Sequence, residues 1–242
     1  RLDDCMRTAG PVLNSKIEVL NSVEQWDILT GIIGNLDKDD YPYSCRYVSS
    51  SPHVAGSYLQ EVFDFILRAQ ENLVEPEELL GKYRPSRDPL LAELSGIYSR
   101  YSRSLEASGK YNYGLLLLKT AELLERDPRA RTYARERFEY IIVDEFQETN
   151  TAQYRILSNI ARDNCVFFGN DDQAIYGFRG SVSDNFKKLY MRLKQQERVI
   201  YLNKNHRNSP GITALSNDLI GSMERRIPKK NLPARQDPGR GR

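Results

Sequence analysis

Apolar and polar positions along this chain change rhythm once, near its middle. In the first half, apolar residues return at helical spacing. Leu59, Val62, Phe63, Phe65, Ile66 and Leu67 share one face from Ser57 onward, and Leu91, Leu94, Ile97, Tyr98, Tyr101 and Leu105 form a second stripe. That second stripe opens at Asp88-Pro89 and stops near Gly109. Pro89 suits the first helical position, where its missing N–H would have no intrahelical partner. Ser22-Val-Glu-Gln25 has capping-box form, with Ser22 as N-cap and Gln25 at N3, and predicts a helix running toward Gly34. Asp37 to Gly56 is polar and rich in Pro, Ser and Tyr, which reads as a long connection. Leu115 to Leu124 predicts a further helix, and Asp127-Pro128 starts another that is rich in arginine.

After Phe138 short apolar runs alternate with amphipathic ones. "YIIVDE", "CVFFG" and "RVIYL" read as strands, the first of them a buried apolar one. "TAQYRILSNIA", "SDNFKKLYMRL" and "PGITALSNDLI" read as the helices between and after them. Strands alternating with helices predict an α/β fold with a parallel sheet under helical cover. A mainly helical subdomain stands in front of it, with the change falling between Gly109 and Phe138. The chain shows no internal repeat.

Composition narrows the class. At 242 residues the chain suits one large or two modest domains, and its 28% charged and 40% hydrophobic content is that of a soluble globular protein. Thirty-five basic residues against 33 acids leave a formal charge of +2, so any nucleic-acid contact must come from local patches. Arg225, Arg226, Lys229, Lys230, Arg235, Arg240 and Arg242 form one such patch against Glu224 and Asp237. It reads equally as a solvated end. Cys5, Cys45 and Cys165 lack a C-x-x-C pair, which fits a reducing, cytoplasmic setting and no zinc site. No apolar run approaches the roughly 20 residues of a membrane span.

Candidate chemistry gathers at the strand ends, where parallel α/β folds place their ligands. "YIIVDEFQETN" ends its strand on Asp144 and Glu145. A carboxylate there can hold Mg²⁺ while a neighbour orients an attacking water. Capping the following helix is the plainer alternative. The second strand ends "FFGNDDQAIYGFRG": Gln173 can hydrogen-bond a phosphate, Tyr176 and Phe178 can stack on bases, and Arg179 can bridge the two. A hairpin packed on its own aromatics is the structural alternative. The third ends "LNKNHRNS", and Arg207 there presents a permanently charged fork suited to phosphate.

Together these motifs carry a resemblance. "IIVDEFQETNTAQYRIL" resembles motif II of the superfamily 1 DNA helicases of the UvrD/PcrA/Rep type. "GNDDQAIYGFRG" is similar to their motif III and "LNKNHRNS" to their motif IV, in the family's order and spacing. The resemblance covers about Lys110 to Ile220, and "LRAQENLVEPEEL" is similar to the actinobacterial RecB-like (AdnA/AdnB) branch. It implies a partial RecA-like (P-loop NTPase) motor core. Residues 1–108 would be a helical inserted subdomain, 109–198 the C-terminal part of the first motor domain, and 199–242 the start of the second with a basic tail. It also implies ATP and Mg²⁺ as cofactors. The implied partners are single-stranded DNA or a single-strand/double-strand junction, moved along 3′ to 5′, and proteins of repair or recombination.

Roles follow position by position. Asp144 resembles the Mg²⁺-holding acid and Glu145 the residue that activates water. Gln147 resembles the glutamine coupling the phosphate site to its surroundings, Gln173 the γ-phosphate sensor, and Arg207 the arginine reaching the γ-phosphate. Tyr176 and Phe178 stand at base-stacking positions, and Arg179 where an arginine links the DNA and nucleotide sites. Glu148 and Asn170 depart from the pattern, each where Asp or an acid is usual. Phe178 replaces a frequent Trp, Asn112 a frequent Asp and His206 a frequent Tyr. His206 is expected to be a local packing or hydrogen-bonding residue rather than a nucleotide contact.

A phosphate loop of the form G-x-x-x-x-G-K-[ST] is absent from the chain. The expectation is an internal fragment of a longer helicase, inactive as an ATPase alone. Two alternatives stay open: a non-catalytic DNA-binding or regulatory module with a helicase-like surface, and a Mg²⁺-dependent phosphohydrolase using Asp144 and Glu145. For the latter, Asp171 and Asp172 are the only support.

Overall fold

Prolines and capping side chains set where the helices begin. A computed structural model describes residues 17–82, 88–174, 183–222, 227 and 232–233. The chain divides into two units, Arg1–Val143 with Thr149–Val166, and Asp144–Glu148 with Phe167–Arg242.

In the first unit, helix α1 (Ser22–Gly34) is capped by Asn21, whose Oδ1 accepts the Val23 and Glu24 N–H groups at 2.9 and 3.0 Å. Glu24 returns a bond to the Asn21 N–H at 2.9 Å. The box therefore lies one residue before the predicted one. Both Asn21-x-x-Glu24 and Ser22-x-x-Gln25 fit the pattern, and the first places a charged carboxylate at the positive helix end.

The predicted connection between Asp37 and Gly56 holds a helix instead, α2 (Pro42–Val48), and α3 (Pro52–Glu71) starts five residues earlier than its apolar stripe. Both open on a proline. The cap of α2 comes from far along the chain: the Glu93 carboxylate accepts the Tyr43 and Ser44 N–H groups at 3.0 and 2.7 Å and the Ser44 hydroxyl at 2.6 Å. No local pattern could reveal a cap that lies 50 residues away.

Helices α4 (Pro76–Lys82) and α5 (Pro89–Ser108) follow. Asp88 caps α5 by accepting the Leu91 N–H at 3.0 Å. Gly109 ends it at φ 68°, a left-handed conformation that glycine adopts without a Cβ penalty. Strand β1 (Glu18–Val19) pairs in parallel with β2 (Lys110–Tyr111). Asn112 caps α6 (Tyr113–Arg126), Asp127 caps α7 (Pro128–Glu136), and Asn150 with Gln153 forms a capping box on α8 (Thr151–Ile160). Leu29, Ile33, Val62, Ile66, Ile97, Tyr98, Tyr101 and Leu105 make the main core where α1, α3 and α5 meet. Ala121, Leu124, Ala134 and Ile156 make a smaller one between α6, α7 and α8.

Strand β3 (Ile141–Val143) pairs with β4 (Cys165–Phe167), and the Ile141 N–H donates to the Asn164 carbonyl at 3.0 Å. The expected burial of "YIIV" is not met. Ile142 is 70% exposed, because successive side chains of a strand point to opposite faces and only one face is covered among the described residues.

In the second unit, 3₁₀ turns at Phe146–Glu148 and Asp171–Gln173 accompany α9 (Ser183–Gln195) and α10 (Pro210–Gly221). Strands β5 (Lys204–Asn205) and β6 (Leu232–Pro233) pair in parallel. The "RVIYL" strand does not form, and regular pairing begins only at Lys204. Residues 198–203 run beside no partner strand among the described residues, leaving Ile200 and Leu202 exposed. Apolar sequence alone cannot hold a strand without a neighbour's ladder. Among the described residues, no helix is long and apolar enough to cross a membrane.

Candidate functional site

Four of the residues singled out by sequence, Asp144, Glu145, Gln147 and Gln173, lie on two short turns of the second unit. The first turn opens where β3 ends. Asp144 and Glu145 are both exposed, and Asp144 Oδ1 accepts the Glu145 N–H at 2.9 Å. Glu145 stands at φ 48°, a left-handed conformation that costs a residue with a Cβ about 1–3 kcal/mol. Neighbouring bonds hold it there. The Glu148 N–H donates to the Glu145 carbonyl at 2.9 Å, and the Phe146 N–H donates to the Phe168 carbonyl at 2.9 Å. The Gln147 amide donates to the Glu145 carboxylate.

Gln147 is only 2% exposed, and both ends of its amide are used. Its Oε1 accepts the Asn170 N–H at 2.9 Å, which joins the first turn to the second. Asn170 in turn caps its own turn: its Oδ1 accepts the Asp172 N–H at 3.2 Å and its carbonyl accepts the Gln173 N–H at 3.0 Å. Gln173 itself is exposed. One buried amide thus connects Glu145 to the turn that carries Gln173.

Gly169 makes the approach of the two turns possible. A Cβ there would stand 2.5 Å from Phe186 Cε2 and 2.9 Å from Gln147 Oε1. Under the turns, the Phe146 ring lies edge-on to Phe167 at 5.0 Å and tilted to Phe186 at 6.0 Å. A cavity of about 160 Å³ opens beside these rings, lined also by Leu189, Tyr201 and Ile227.

Arg207 is exposed on the loop after β5. Asn205 Oδ1 accepts both the Arg207 and the Asn208 N–H at 3.0 Å, fixing the loop backbone. No hydrogen bond or ion pair joins the Arg207 side chain to Asp144, Glu145 or Gln173. His206 is exposed. Tyr176, Phe178 and Arg179 lie outside the described residues, as do Cys5 and the basic positions of the tail from Arg225 to Arg242.

The donor set suits magnesium better than a cation that requires a protein cage. Mg²⁺ keeps most of its waters and binds through one or two carboxylates plus phosphate oxygens. Asp144 and Glu145 are two exposed carboxylates with free lone pairs, and no larger group of potential metal ligands exists among the described residues.

Sequence reading missed Gly169 and the Asn170 backbone. Gly169 stands between a strand and a polar turn, the usual signature of close backbone approach. The Asn170 N–H, like every backbone donor, carries no residue-type signal.

Strand β3 thus leads into Asp144 and Glu145, and the buried Gln147 ties Glu145 to the turn that carries Gln173. Comparison with known proteins shows the family. Residues 6–194 match the family described as the UvrD/REP helicase N-terminal domain, and the chain belongs to this family of superfamily 1 helicases. It is similar to the ATP-dependent DNA helicase PcrA of Bacillus subtilis, 27% identical over 232 residues, covering 94% of this chain and 28% of that protein. The ATP-dependent DNA helicase UvrD1 of Mycobacterium tuberculosis is 27% identical over 229 residues, covering 89% and 28%. PcrA of Staphylococcus aureus is 35% identical over 138 residues, covering 55% and 18%. The chain spans under a third of the length of these relatives.

Proposed function

We propose that this chain is part of the motor of an ATP-dependent DNA helicase, carrying one wall of a nucleotide site on a partial RecA-like core. The observation that carries the reading is the Gln147 amide, bonded at one end to Glu145 and at the other to Asn170. It ties a candidate water-activating acid to a candidate phosphate-sensing turn. The domain limits at 108 and 198 belong to the same proposal. The narrower placement in the actinobacterial RecB-like branch rests on the Leu67–Leu79 pattern alone.

Each residue has a task in this reading. Asp144 would hold Mg²⁺, which when bound supplies charge neutralisation on the phosphate oxygens. Glu145 accepts a proton from the attacking water, and Gln147 fixes the direction its carboxylate faces. Gln173 hydrogen-bonds the terminal phosphate. Arg207 places permanent positive charge against the charge that develops there. Tyr176 and Phe178 stack on the bases of single-stranded DNA, and Arg179 connects that contact to the nucleotide. Alternate opening and closing of the site would then drive 3′ to 5′ movement on a single strand or at a junction. Proteins of repair or recombination are its proposed partners.

The chain contains no phosphate loop, so the 242 residues alone are proposed not to turn over ATP. Asp171, which the phosphohydrolase alternative would call on, accepts the Ile227 N–H through Oδ2.

The test is a Glu145→Gln substitution in the full-length gene product. ATP turnover should fall about a hundredfold or more, the contribution typical of a positioned base. Turnover at the parent rate would refute the reading. Tyr176→Ala with Phe178→Ala should weaken single-strand binding by about 1–3 kcal/mol per lost stack. Affinity should also fall with added salt.

A further inference from the structure

Asp171, a candidate metal-binding carboxylate by sequence, makes a long-range hydrogen bond in the structure. Its Oδ2 accepts the Ile227 backbone N–H at 2.6 Å, a short, charge-assisted contact bridging 56 positions of sequence. Ile227 is 8% exposed, and its side chain lines the same cavity as Phe146, Phe167, Phe186 and Leu189. Phe146 sits in the chain between Glu145 and Gln147, so this cavity reaches the candidate acid's turn. Asp171 also belongs to the turn that carries Gln173, and its carbonyl accepts the Ala174 N–H at 3.3 Å.

We infer that Asp171 is a positioning residue for Glu145. By pinning the Ile227 N–H, it seats the Ile227 side chain against the aromatic floor beneath Phe146. This couples the chain that follows α10 to the Glu145–Gln147–Asn170 relay. A shift of residue 227 would reshape the cavity that Phe146 also lines and pull on the Gln173 turn through Asp171 at the same moment. Asp144, by contrast, accepts the adjacent Glu145 N–H. The catalytic meaning of the linkage rests on the nucleotide-site reading, but the linkage itself does not.

The experiment is amide exchange and side-chain amide NMR on the 242-residue chain without nucleotide. In Asp171→Ala, the Ile227 amide should exchange about tenfold faster or more, as expected when a charged acceptor is removed. The Gln147 side-chain amide resonances should move with it as the bond to Glu145 loosens. Asp171→Asn keeps an acceptor oxygen and should restore both. Ile227→Ala leaves the carboxylate but empties the seat, and should move the Gln147 resonances in the same direction. An unchanged Ile227 exchange rate in Asp171→Ala overturns the inference. So do Gln147 resonances that stay put in Ile227→Ala, a result readable even if Asp171→Ala fails to fold. A Glu145→Gln full-length protein that still hydrolyses ATP would remove the nucleotide reading and leave the linkage standing.

Discussion

The Asn170 N–H donates to Gln147 Oε1 at 2.9 Å, so the turn after β4 is hung from a buried amide on the turn after β3. A glutamine suits this position because it can donate and accept at once. Gln147→Leu keeps the volume and loses both bonds, leaving the part-buried Asn170 N–H without its acceptor. The expected loss is about 1–3 kcal/mol of unfolding free energy, the cost of an unsatisfied buried donor. Urea denaturation measures it. In the full-length protein ATP turnover should fall as well, because Glu145 loses the group that directs it.

Gly169 should tolerate no side chain. In Gly169→Ala, the new Cβ would collide with Phe186 and press on Gln147 Oε1. Overpacking of this kind costs about 1–3 kcal/mol, which a shift of the urea midpoint would report. A midpoint equal to the parent's would mean that the two turns can separate freely.

Glu93 is the distant cap of α2 and lies in the core at 6% exposure. Its carboxylate takes three donors, and the Ser44 hydroxyl that bonds it also accepts from Tyr58 at 2.6 Å. Glu93→Leu should cost about 3 kcal/mol or more, since two helix N–H groups and a buried hydroxyl lose their acceptor together. Circular dichroism on denaturation should show the loss, while Glu77→Leu on the exposed side of α4 should change little.

Acid–base linkage gives a prediction with a definite sign. A hydrogen bond with Glu122, burial, and the like charge of Glu122 together raise the Glu75 carboxyl above the usual glutamate value of 4.5. The folded chain therefore holds this proton more tightly than the unfolded chain does. Its stabilisation is complete below the unfolded value and is lost as pH rises through the folded one. Burial raises Glu71 likewise. Glu75→Gln should remove part of the decline in stability as pH rises above about 4.5, measured as urea midpoints against pH. A slope identical to the parent's would show that the Glu75–Glu122 pair does not share a proton.

At the alkaline end, burial pushes Tyr58 and Tyr101 from 10.0 up to about 12. The unfolded chain ionises first, so stability should fall as pH rises from about 10 to 12. Spectrophotometric titration should show these two phenols ionising only as the fold is lost.

Much of this protein is written locally. Pro89, Asp88, Asp127-Pro128 and Gly109 mark helix ends where expected, because a cap or a fixed φ acts within three or four residues. The identities of the motif residues are local too, since family membership follows from side-chain types in order. The α2 helix was hidden because its cap, Glu93, reaches it from α5. The "RVIYL" segment could not be judged from its own apolar residues, since a strand exists only where another chain segment accepts its ladder. The burial of Gln147, the clearance demanded at Gly169 and the bond from Asp171 to Ile227 were likewise matters of tertiary structure. Each depends on groups tens of residues apart meeting within a bond length or two. Sequence named Asp144, Glu145 and Gln173 as chemistry; only the packing of the two turns decided which neighbours hold them in place.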